Sequence, residues 1–270
     1  MIVFRVFDFR RKSSTNPERR ANAVGILRPS APVGKLCSDP VDVTTVQIAE
    51  IFESIQGEGP WAGTPSLFIR TSGCNLRCWF CDTPYTSWKP EGTAWSIDEL
   101  VWRVSDSSAA DVVLTGGEPM LLPEMEQLSR RCREHGKRIT IETAGTVDQS
   151  VVCDLMAISP KLSNSVPDDP RWHDRHEQAR FRPDVIRSLL SKHNCILKFV
   201  IDQPQDVRDV QDWLSHFSGI NPGTVWLMPQ ARTAEQLAER SCWLRTLSAE
   251  HGFQFSSRLH IEQFGNVRGT

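Results

Sequence analysis

Short apolar runs alternate with helical segments along most of this sequence, and this alternation restricts the possible folds more than any other feature. The apolar runs are mostly continuous, which is typical of strands buried on both faces of a parallel sheet. Strand, helix and strand repeat about six times, which predicts the α/β class with right-handed crossovers. Such a repeat either closes into a barrel or stays open. Strands are predicted at residues 66–71, 111–115, 138–143, 152–158, 195–201 and 224–228, with a further candidate at 254–260.

The predicted helices follow from their end residues. Ser96 is suited to cap a helix at 97–104, which carries acidic residues in its first turn. A helix at 120–134 is expected to end at Gly136, because glycine commonly terminates helices. Two further helices are predicted at residues 205–217 and 233–250.

The segments that follow the predicted strands are rich in glycine and polar residues. The carboxyl ends of parallel strands meet at one rim of the sheet, and ligands bind at that rim in such folds. We therefore expect a single site there, built from residues 74–81, 115–119, 142–145, 159–161 and 228–230.

Three of the eight cysteines, Cys74, Cys78 and Cys81, are spaced so that one short loop can aim their thiols at one point. A structural zinc needs four ligands, and only a distant residue such as Cys37 or a histidine would supply the fourth. An iron-sulfur cluster held by three cysteines leaves one iron open for a ligand. The spacing favours the cluster, and zinc is the alternative.

Two features near the predicted rim have more than one interpretation. Gly116, Gly117 and Glu118 form either a tight turn before Pro119 or a ligand site, in which the glycines admit the ligand and the carboxylate holds an amine. Lys198, alone in an apolar run, either lines the site or reaches past the sheet edge.

Charge and apolar content restrict the partners. The formal net charge of -2 gives no bulk attraction to nucleic acid or to an anionic membrane. No apolar run approaches the roughly 20 residues that span a bilayer, and no signal peptide follows Met1. We therefore expect a cytoplasmic protein with a small-molecule substrate, no nucleic-acid partner and no membrane contact.

The chain is expected to form one main domain. Residues 1–45 are basic, contain scattered prolines and serines and lack sustained periodicity, which predicts a disordered extension. Residues 46–270 carry the β/α repeat. Within them, the segment 162–182 interrupts the repeat and is either an inserted lid or a solvated surface loop.

The cysteine motif leads to a known superfamily. Residues 74–81, CNLRCWFC, resemble the CxxxCxxC signature of radical S-adenosylmethionine (SAM) enzymes, and residues 116–119, GGEP, resemble their SAM-amine motif. The resemblance implies a partial (β/α)6 TIM-like barrel of the radical SAM type over residues 46–270. Within the superfamily, the sequence resembles the 7-carboxy-7-deazaguanine synthase family through residues 55–59, 81–85, 142–145, 159–161 and 258–266.

This resemblance implies a role for each matching residue. The three cysteines would hold a [4Fe-4S] cluster, and SAM would chelate its open iron. Thr83 would be a Mg2+ ligand, with substrate oxygens and waters completing the octahedron. The implied substrate contacts are Ile55, Gln56, Gly57, Arg70 and Thr115, of which Arg70 suits a carboxylate. The implied SAM contacts are Phe80, Cys81, Asp82, Gly117, Glu118, Ser159, Pro160 and Lys161.

The implied reaction is that of a carbon-nitrogen lyase in queuosine or other 7-deazapurine biosynthesis. SAM is cleaved reductively to a 5'-deoxyadenosyl radical, and 6-carboxy-5,6,7,8-tetrahydropterin contracts to 7-carboxy-7-deazaguanine with loss of ammonia. A flavodoxin- or ferredoxin-type reductant and a homodimer are expected. The alternatives are a glycyl-radical activating enzyme, which needs a protein partner, and a non-catalytic zinc or Fe-S protein. Ala144 departs from the family, which usually has an amide there, so one polar contact is expected to be missing.

Overall fold

A computed structural model describes residues 44–270, which form a single sheet of nine strands. The strands are β1 (Thr45–Ile55), β2 (Pro65–Thr71), β3 (Thr93–Ser96), β4 (Asp111–Gly116), β5 (Arg138–Thr143), β6 (Leu155–Ile158), β7 (Cys195–Ile201), β8 (Val225–Pro229) and β9 (Gln254–Phe255). Their order is β3-β1-β2-β4-β5-β6-β7-β8-β9. All neighbours from β2 to β9 are parallel, whereas β1 runs antiparallel to β2 and β3. The predicted parallel α/β sheet is confirmed.

Most of the helices connect successive strands and pack on one face of the sheet in the main hydrophobic core. They are α1 (Pro84–Ser87), α2 (Ile97–Asp106), α3 (Met125–Glu134), α4 (His173–Arg180), α5 (Pro183–Lys192), α6 (Asp206–Ser215), α7 (Ala234–Glu250) and α8 (Leu259–Phe264). Within residues 44–270, no helix combines the length and the apolar character that crossing a bilayer requires.

Alternation along each strand separates the core from the opposite face of the sheet. Leu197 and Phe199 of β7 pack with Leu189 of α5 in the main hydrophobic core. Successive side chains of a strand point to opposite faces, so the residue between them, Lys198, faces away from these helices. Lys198 lines a cavity on that side. Of the two interpretations of Lys198, the structure supports the one inside the site.

The capping signals place two helices as predicted. The hydroxyl of Ser96 accepts a hydrogen bond from the backbone N of Glu99, and the Glu99 carboxylate accepts one from the backbone N of Ser96. This reciprocal pair is a capping box, and α2 begins directly after it. The side chain of Thr233 accepts from the backbone N of Gln236 in the same way at the start of α7.

Three predicted boundaries are wrong. The helix predicted from residue 120 begins at Met125, because Pro123 lacks the N–H that a helix interior needs and a short 3-10 turn, Pro119–Leu121, precedes it. The strand predicted from 152 begins at Leu155. The candidate strand at 254–260 is only the two residues of β9, and helix α8 begins at Leu259.

Several elements were not predicted. Strand β1 alternates apolar and polar residues, so a search for continuous apolar runs overlooks it. The segment 162–182, predicted as a loop or lid, contains the short turn Ser163–Ser165 and helix α4. Residues 1–43 lie outside the described residues, and the disordered extension at 1–45 therefore stays a prediction.

Candidate active site

A cavity of about 560 Å³ opens where the parallel strands end. Its lining combines the loop after β2, the ends of the strands that follow, and the segment around α8. Two residues from the predicted set, Glu118 and Pro160, are outside this lining. The predicted residues that line it are Ile55, Gln56, Gly57, Arg70, Cys74, Cys78, Phe80, Cys81, Asp82, Thr83, Thr115, Gly117, Ser159 and Lys161.

The cysteine loop, residues 72–82, folds around a small apolar group of its own. Leu76, Cys78 and Phe80 are buried together, and Cys74 and Cys81 pack against them. An apolar surrounding of this kind excludes water from the thiols and keeps the local dielectric constant low. The loop therefore presents all three cysteines at the cavity wall, with Cys78 buried and Cys74 and Cys81 half-buried.

Side chains hold the backbone of the cysteine loop in place. The Arg77 guanidinium donates hydrogen bonds to the carbonyls of Cys74 and Leu76, at 2.7 and 2.8 Å. The indole N–H of Trp88 donates to the Cys78 carbonyl at 3.0 Å. These bonds satisfy carbonyls of an irregular loop, and the Cys78 carbonyl also accepts from the backbone N of Cys81 at 3.2 Å.

The chemistry of the thiols fits an iron-sulfur cluster. Burial raises the pKa of both Cys74 and Cys78 to about 12, so free thiols would stay protonated at neutral pH and a metal is needed to hold them as thiolates. Within residues 44–270, no three Cys, His, Asp or Glu side chains lie close enough to share one metal ion. A cluster does not require such closeness, because each cysteine binds a different iron.

The Gly-Gly sequence at the end of β4 packs against the cysteine loop. A Cβ on Gly117 would lie 2.1 Å from the Gly73 carbonyl oxygen, and one on Gly116 would lie 2.4 Å from the Thr71 carbonyl oxygen. The backbone N of Glu118 donates to the Gly73 carbonyl at 2.9 Å. Both glycines are therefore required for backbone packing beneath the thiols, in addition to any role toward a ligand.

The Glu118 carboxylate is turned away from the cavity and is 1% exposed. It accepts hydrogen bonds from the hydroxyl of Thr143 and from the backbone N atoms of Ala144 and Met120, at 2.7, 2.7 and 3.1 Å. Burial raises its pKa above the usual range for a glutamate. Glu118 thus connects the end of β4 to the end of β5, and the backbone N of Ala144 is part of this contact.

A chain of buried charges crosses the cavity wall. The Glu58 carboxylate pairs with Lys198 and with Arg258, and Arg258 also pairs with Asp82. Arg258 donates a further hydrogen bond to the Ala231 carbonyl at 2.7 Å. Arg258 therefore connects the loop after β1, the cysteine loop and the end of β8.

The opposite charges in this chain keep its members ionised. Burial alone would raise the pKa of Glu58, but the positive charges of Lys198 and Arg258 outweigh burial and lower it. For Asp82, burial is likewise outweighed by Arg258, so its pKa is lowered. The cavity wall is therefore a fixed set of full charges, which can orient a polar ligand without reorganising.

A second group of polar side chains converges on Glu142. Its carboxylate accepts hydrogen bonds from the Gln56 amide at 3.3 Å and from the Thr115 hydroxyl at 2.9 Å, and Lys198 lies 3.9 Å away. The residue after β1 and residues of β4 and β7 thus meet at one carboxylate of β5 that faces the cavity. These groups can recognise a flat heterocycle that carries several donors and acceptors.

Arg70 occupies a different part of the cavity wall. Its guanidinium lies 5.6 Å from the centre of the Phe52 ring, and its Nε is 3.4 Å from the Glu50 carboxylate. Glu50 itself accepts a shorter hydrogen bond, at 2.6 Å, from Arg268. The buried Nε of Arg70 has no hydrogen-bond partner within the described part of the chain. Because this Nε is buried against Glu50, the donors that Arg70 can offer a ligand are its two terminal nitrogens, which donate no hydrogen bond within residues 44–270.

Known proteins share this fold and these motifs. The model of the Radical SAM superfamily matches residues 68–160. The 7-carboxy-7-deazaguanine synthase of Rhodopirellula baltica is 43% identical over 231 residues, which cover 84% of this chain and 90% of the relative. The corresponding protein of Halobacterium salinarum is 38% identical, with 85% of this chain and 94% of the relative covered. The chain belongs to the 7-carboxy-7-deazaguanine synthase family.

Membership in this family confirms the predicted superfamily and fold. The crystal structure of QueE from Escherichia coli matches with a TM-score of 0.58 and 23% identity, covering 79% of this chain and 93% of that chain. At this identity the match concerns the fold, a partial barrel with a parallel sheet. The chain is a radical SAM enzyme, and the superfamily implies a [4Fe-4S] cluster and SAM.

The sequence indicated most of the cavity wall of this 7-carboxy-7-deazaguanine synthase family member, including the charged residues Arg70, Asp82 and Lys161, but not the charged residues that pair with one another across it. Glu58, Glu142 and Arg258 belong to segments that match the family, but no individual role was predicted for any of them. Lys198 had a usable signal, because the period-two alternation of β7 places it opposite Leu197 and Phe199. For Arg258 no local signal exists, since its partners are far away in the sequence.

Proposed function

We propose that this member of the family contracts 6-carboxy-5,6,7,8-tetrahydropterin to 7-carboxy-7-deazaguanine with loss of ammonia. The observation that supports it most is that the cysteine loop and the polar groups around Glu142 and Arg70 line the same cavity. Its volume of about 560 Å³ lies within the range of small-molecule sites, roughly 300–1,000 Å³. One cavity thus brings thiols for a cluster next to groups for a polar substrate.

The cysteines and the rim residues are proposed to hold the two cofactors. When bound, the cluster and SAM supply a carbon-centred radical that takes a hydrogen atom from the substrate. Cys74, Cys78 and Cys81 would hold the cluster. The backbone around Phe80 and Asp82 would contact the SAM adenine, and Gly117 the amine region. Ser159 and Lys161 would contact the ribose and carboxylate side. Pro160 and Glu118, which were predicted to contact SAM, lie outside the cavity lining, and Glu118 would act by holding the backbone at Ala144.

The other side of the cavity is proposed to hold the pterin. Ile55, Gln56 and Gly57 would contact the ring together with Thr115, whose hydroxyl is oriented by Glu142. Arg70 would bind the substrate carboxylate, because its guanidinium has unused donors and a geometry that matches two carboxylate oxygens. The apolar wall at Phe68 and Phe80 would help to exclude water.

A Mg2+ ion is part of the proposal and would be bound at Thr83. Thr83 lines the cavity, and the Thr86 hydroxyl donates its shorter hydrogen bond, at 2.9 Å, to the Thr83 carbonyl, so the Thr83 hydroxyl oxygen keeps lone pairs for a metal. The neighbouring carboxylate of Asp82 is engaged by Arg258. The remaining ligands would therefore be substrate oxygens and waters, as Mg2+ prefers.

The remaining partners are proposed from the family resemblance alone. They are a reductant of the flavodoxin or ferredoxin type and a second copy of the chain in a homodimer. A cytoplasmic location and a product destined for queuosine or another 7-deazapurine complete the proposal.

Two variants test the proposed division of the cavity. Cys78→Ala should abolish SAM cleavage, because the cluster loses a ligand. Arg70→Ala should preserve SAM cleavage uncoupled from product but raise the KM for the pterin by about tenfold or more, as expected for one lost charged hydrogen-bond pair. Arg103→Ala is the matched control, since Arg103 lies in α2 outside the cavity lining. An unchanged substrate KM in Arg70→Ala would exclude Arg70 as the carboxylate ligand.

A further inference from the structure

The segment 162–182 packs on the cysteine loop instead of covering the cavity. None of its residues belongs to the cavity lining. Its short turn reaches the cysteine loop directly, because the Trp79 backbone N donates to the Ser165 carbonyl at 3.2 Å and the Trp79 indole N–H donates to the Asn164 carbonyl at 2.6 Å. The contact lies within the spacer between Cys78 and Cys81.

Helix α4 contacts the other spacer, between Cys74 and Cys78. The backbone N of Arg77 donates a hydrogen bond to Nδ1 of His176 at 3.0 Å. The Arg77 guanidinium lies 4.2 Å from the centre of the Trp172 ring, within cation-π distance. Ala179 of α4 packs against the apolar group that contains Cys78. The segment thus contacts both spacers of the cysteine motif.

The hydrogen bonds of His176 fix its tautomer. Because Nδ1 accepts from Arg77, the ring proton must be on Nε2, which then donates to the Ser165 hydroxyl at 2.9 Å. The Ser165 hydroxyl in turn donates to the Leu162 carbonyl at 2.6 Å. Both His176 and Ser165 are buried. Every donor in this series of hydrogen bonds therefore has an acceptor, from the Arg77 backbone N through His176 and Ser165 to the Leu162 carbonyl.

The imidazole is neutral under ordinary conditions. Burial, assisted by the positive charges of Arg180 and Lys161, lowers the pKa of His176 to about 4. A protonated ring could not accept from the Arg77 backbone N, so neutrality is what the observed geometry requires.

We propose that His176, with Ser165, is a positioning residue that sets the conformation of the cysteine loop before the cluster is bound. A loop already ordered around its three thiols loses less conformational entropy when it takes up the cluster, so its affinity for the cluster rises. The proposal depends on the proposed function only in assigning the cysteines to a cluster. Because both residues belong to the segment 162–182, the role of this segment is to order the cysteine loop.

The first test uses the iron-free protein and needs no activity. In His176→Leu, amide hydrogen exchange at Arg77 should accelerate by about tenfold, the factor that corresponds to one lost hydrogen bond of about 1.4 kcal/mol. In His176→Asn, the side-chain oxygen takes the place of Nδ1, and exchange should stay near the wild-type rate. His176→Gln places its amide near Nε2 instead, and should resemble His176→Leu. His193→Leu is the control, because His193 contacts Cys153.

The second test is the release of iron from the reconstituted protein to a chelator. Release should be about tenfold faster in His176→Leu than in wild type and should return toward wild type in His176→Asn. Equal rates in all variants, or equal rescue by Asn and Gln, would overturn the proposal. A wild-type protein that binds no cluster would refute the proposed function, while hydrogen exchange would still decide whether His176 orders the loop.

Discussion

Replacing Gly117 by alanine tests the packing beneath the cysteine loop. The added Cβ would lie 2.1 Å from the Gly73 carbonyl oxygen and 2.8 Å from that of Thr86, and both of these atoms belong to backbone. Reaching an ordinary contact requires the Gly73 carbonyl to move by about 1 Å. That movement strains the loop next to Cys74 and weakens the hydrogen bond from Glu118 to Gly73, which is 2.9 Å long.

The expected cost follows from these two effects. Overpacking a tight site costs about 1–3 kcal/mol, and a weakened backbone hydrogen bond adds about 1 kcal/mol, so Gly117→Ala should lower the free energy of unfolding by roughly 2–4 kcal/mol. Urea unfolding measures this value, and iron content after reconstitution should fall as well. Gly223→Ala is the control, because its Cβ would meet only the side chain of Asn221 at 3.3 Å. Equal stabilities of the two variants would refute the predicted packing.

Three further predictions concern the charges and caps. Lys198→Met should lower the free energy of unfolding by about 3 kcal/mol, because Glu58 loses a buried partner. Adding Glu58→Gln should recover part of this loss, and urea unfolding that shows no recovery would contradict the pairing. The unfolded protein binds a proton at His176 near pH 6.5 and the folded protein only near pH 4, so the free energy of unfolding should fall as the pH drops through this window. The fall should be smaller in His176→Asn. Identical dependence of the free energy of unfolding on pH in both proteins would contradict the buried neutral ring. Ser96→Ala should cost about 1 kcal/mol in thermal or urea unfolding through loss of the capping box, and no change would contradict it.

The parts of the fold that depend on local pattern could be predicted. Continuous apolar runs identified six of the parallel strands, and the capping residue Ser96 located the start of α2. The start of α3 was missed because the helical pattern continues through Pro123, which forces the preceding residue, Leu122, into extended backbone. Strand β1 was missed because its alternating pattern belongs to an antiparallel pair.

The residues of the candidate site also divide into those that a local sequence pattern predicts and those that it does not. Spacing identified the cysteines, because the three lie in one short loop, and resemblance to a known motif identified the Gly-Gly turn. The packing of these glycines against Gly73 and Thr71 was not predicted, because those residues are far away in the sequence. Arg258 and His176 act through partners far away in the sequence, Asp82 and Arg77, so no local pattern indicates their roles. Glu118 illustrates a third case, in which the residue was recognised but its side chain turns away from the cavity to support Ala144.

The central claim is that this chain makes 7-carboxy-7-deazaguanine. The most direct measurement is an anaerobic assay of the iron-reconstituted protein with SAM, dithionite, Mg2+ and 6-carboxy-5,6,7,8-tetrahydropterin, followed by mass spectrometry. We expect 7-carboxy-7-deazaguanine to accumulate in wild type and to be absent in Cys78→Ala. Formation of 5'-deoxyadenosine without the deazapurine would contradict the proposed substrate, and formation of neither in protein with a verified cluster would contradict the proposed activity altogether.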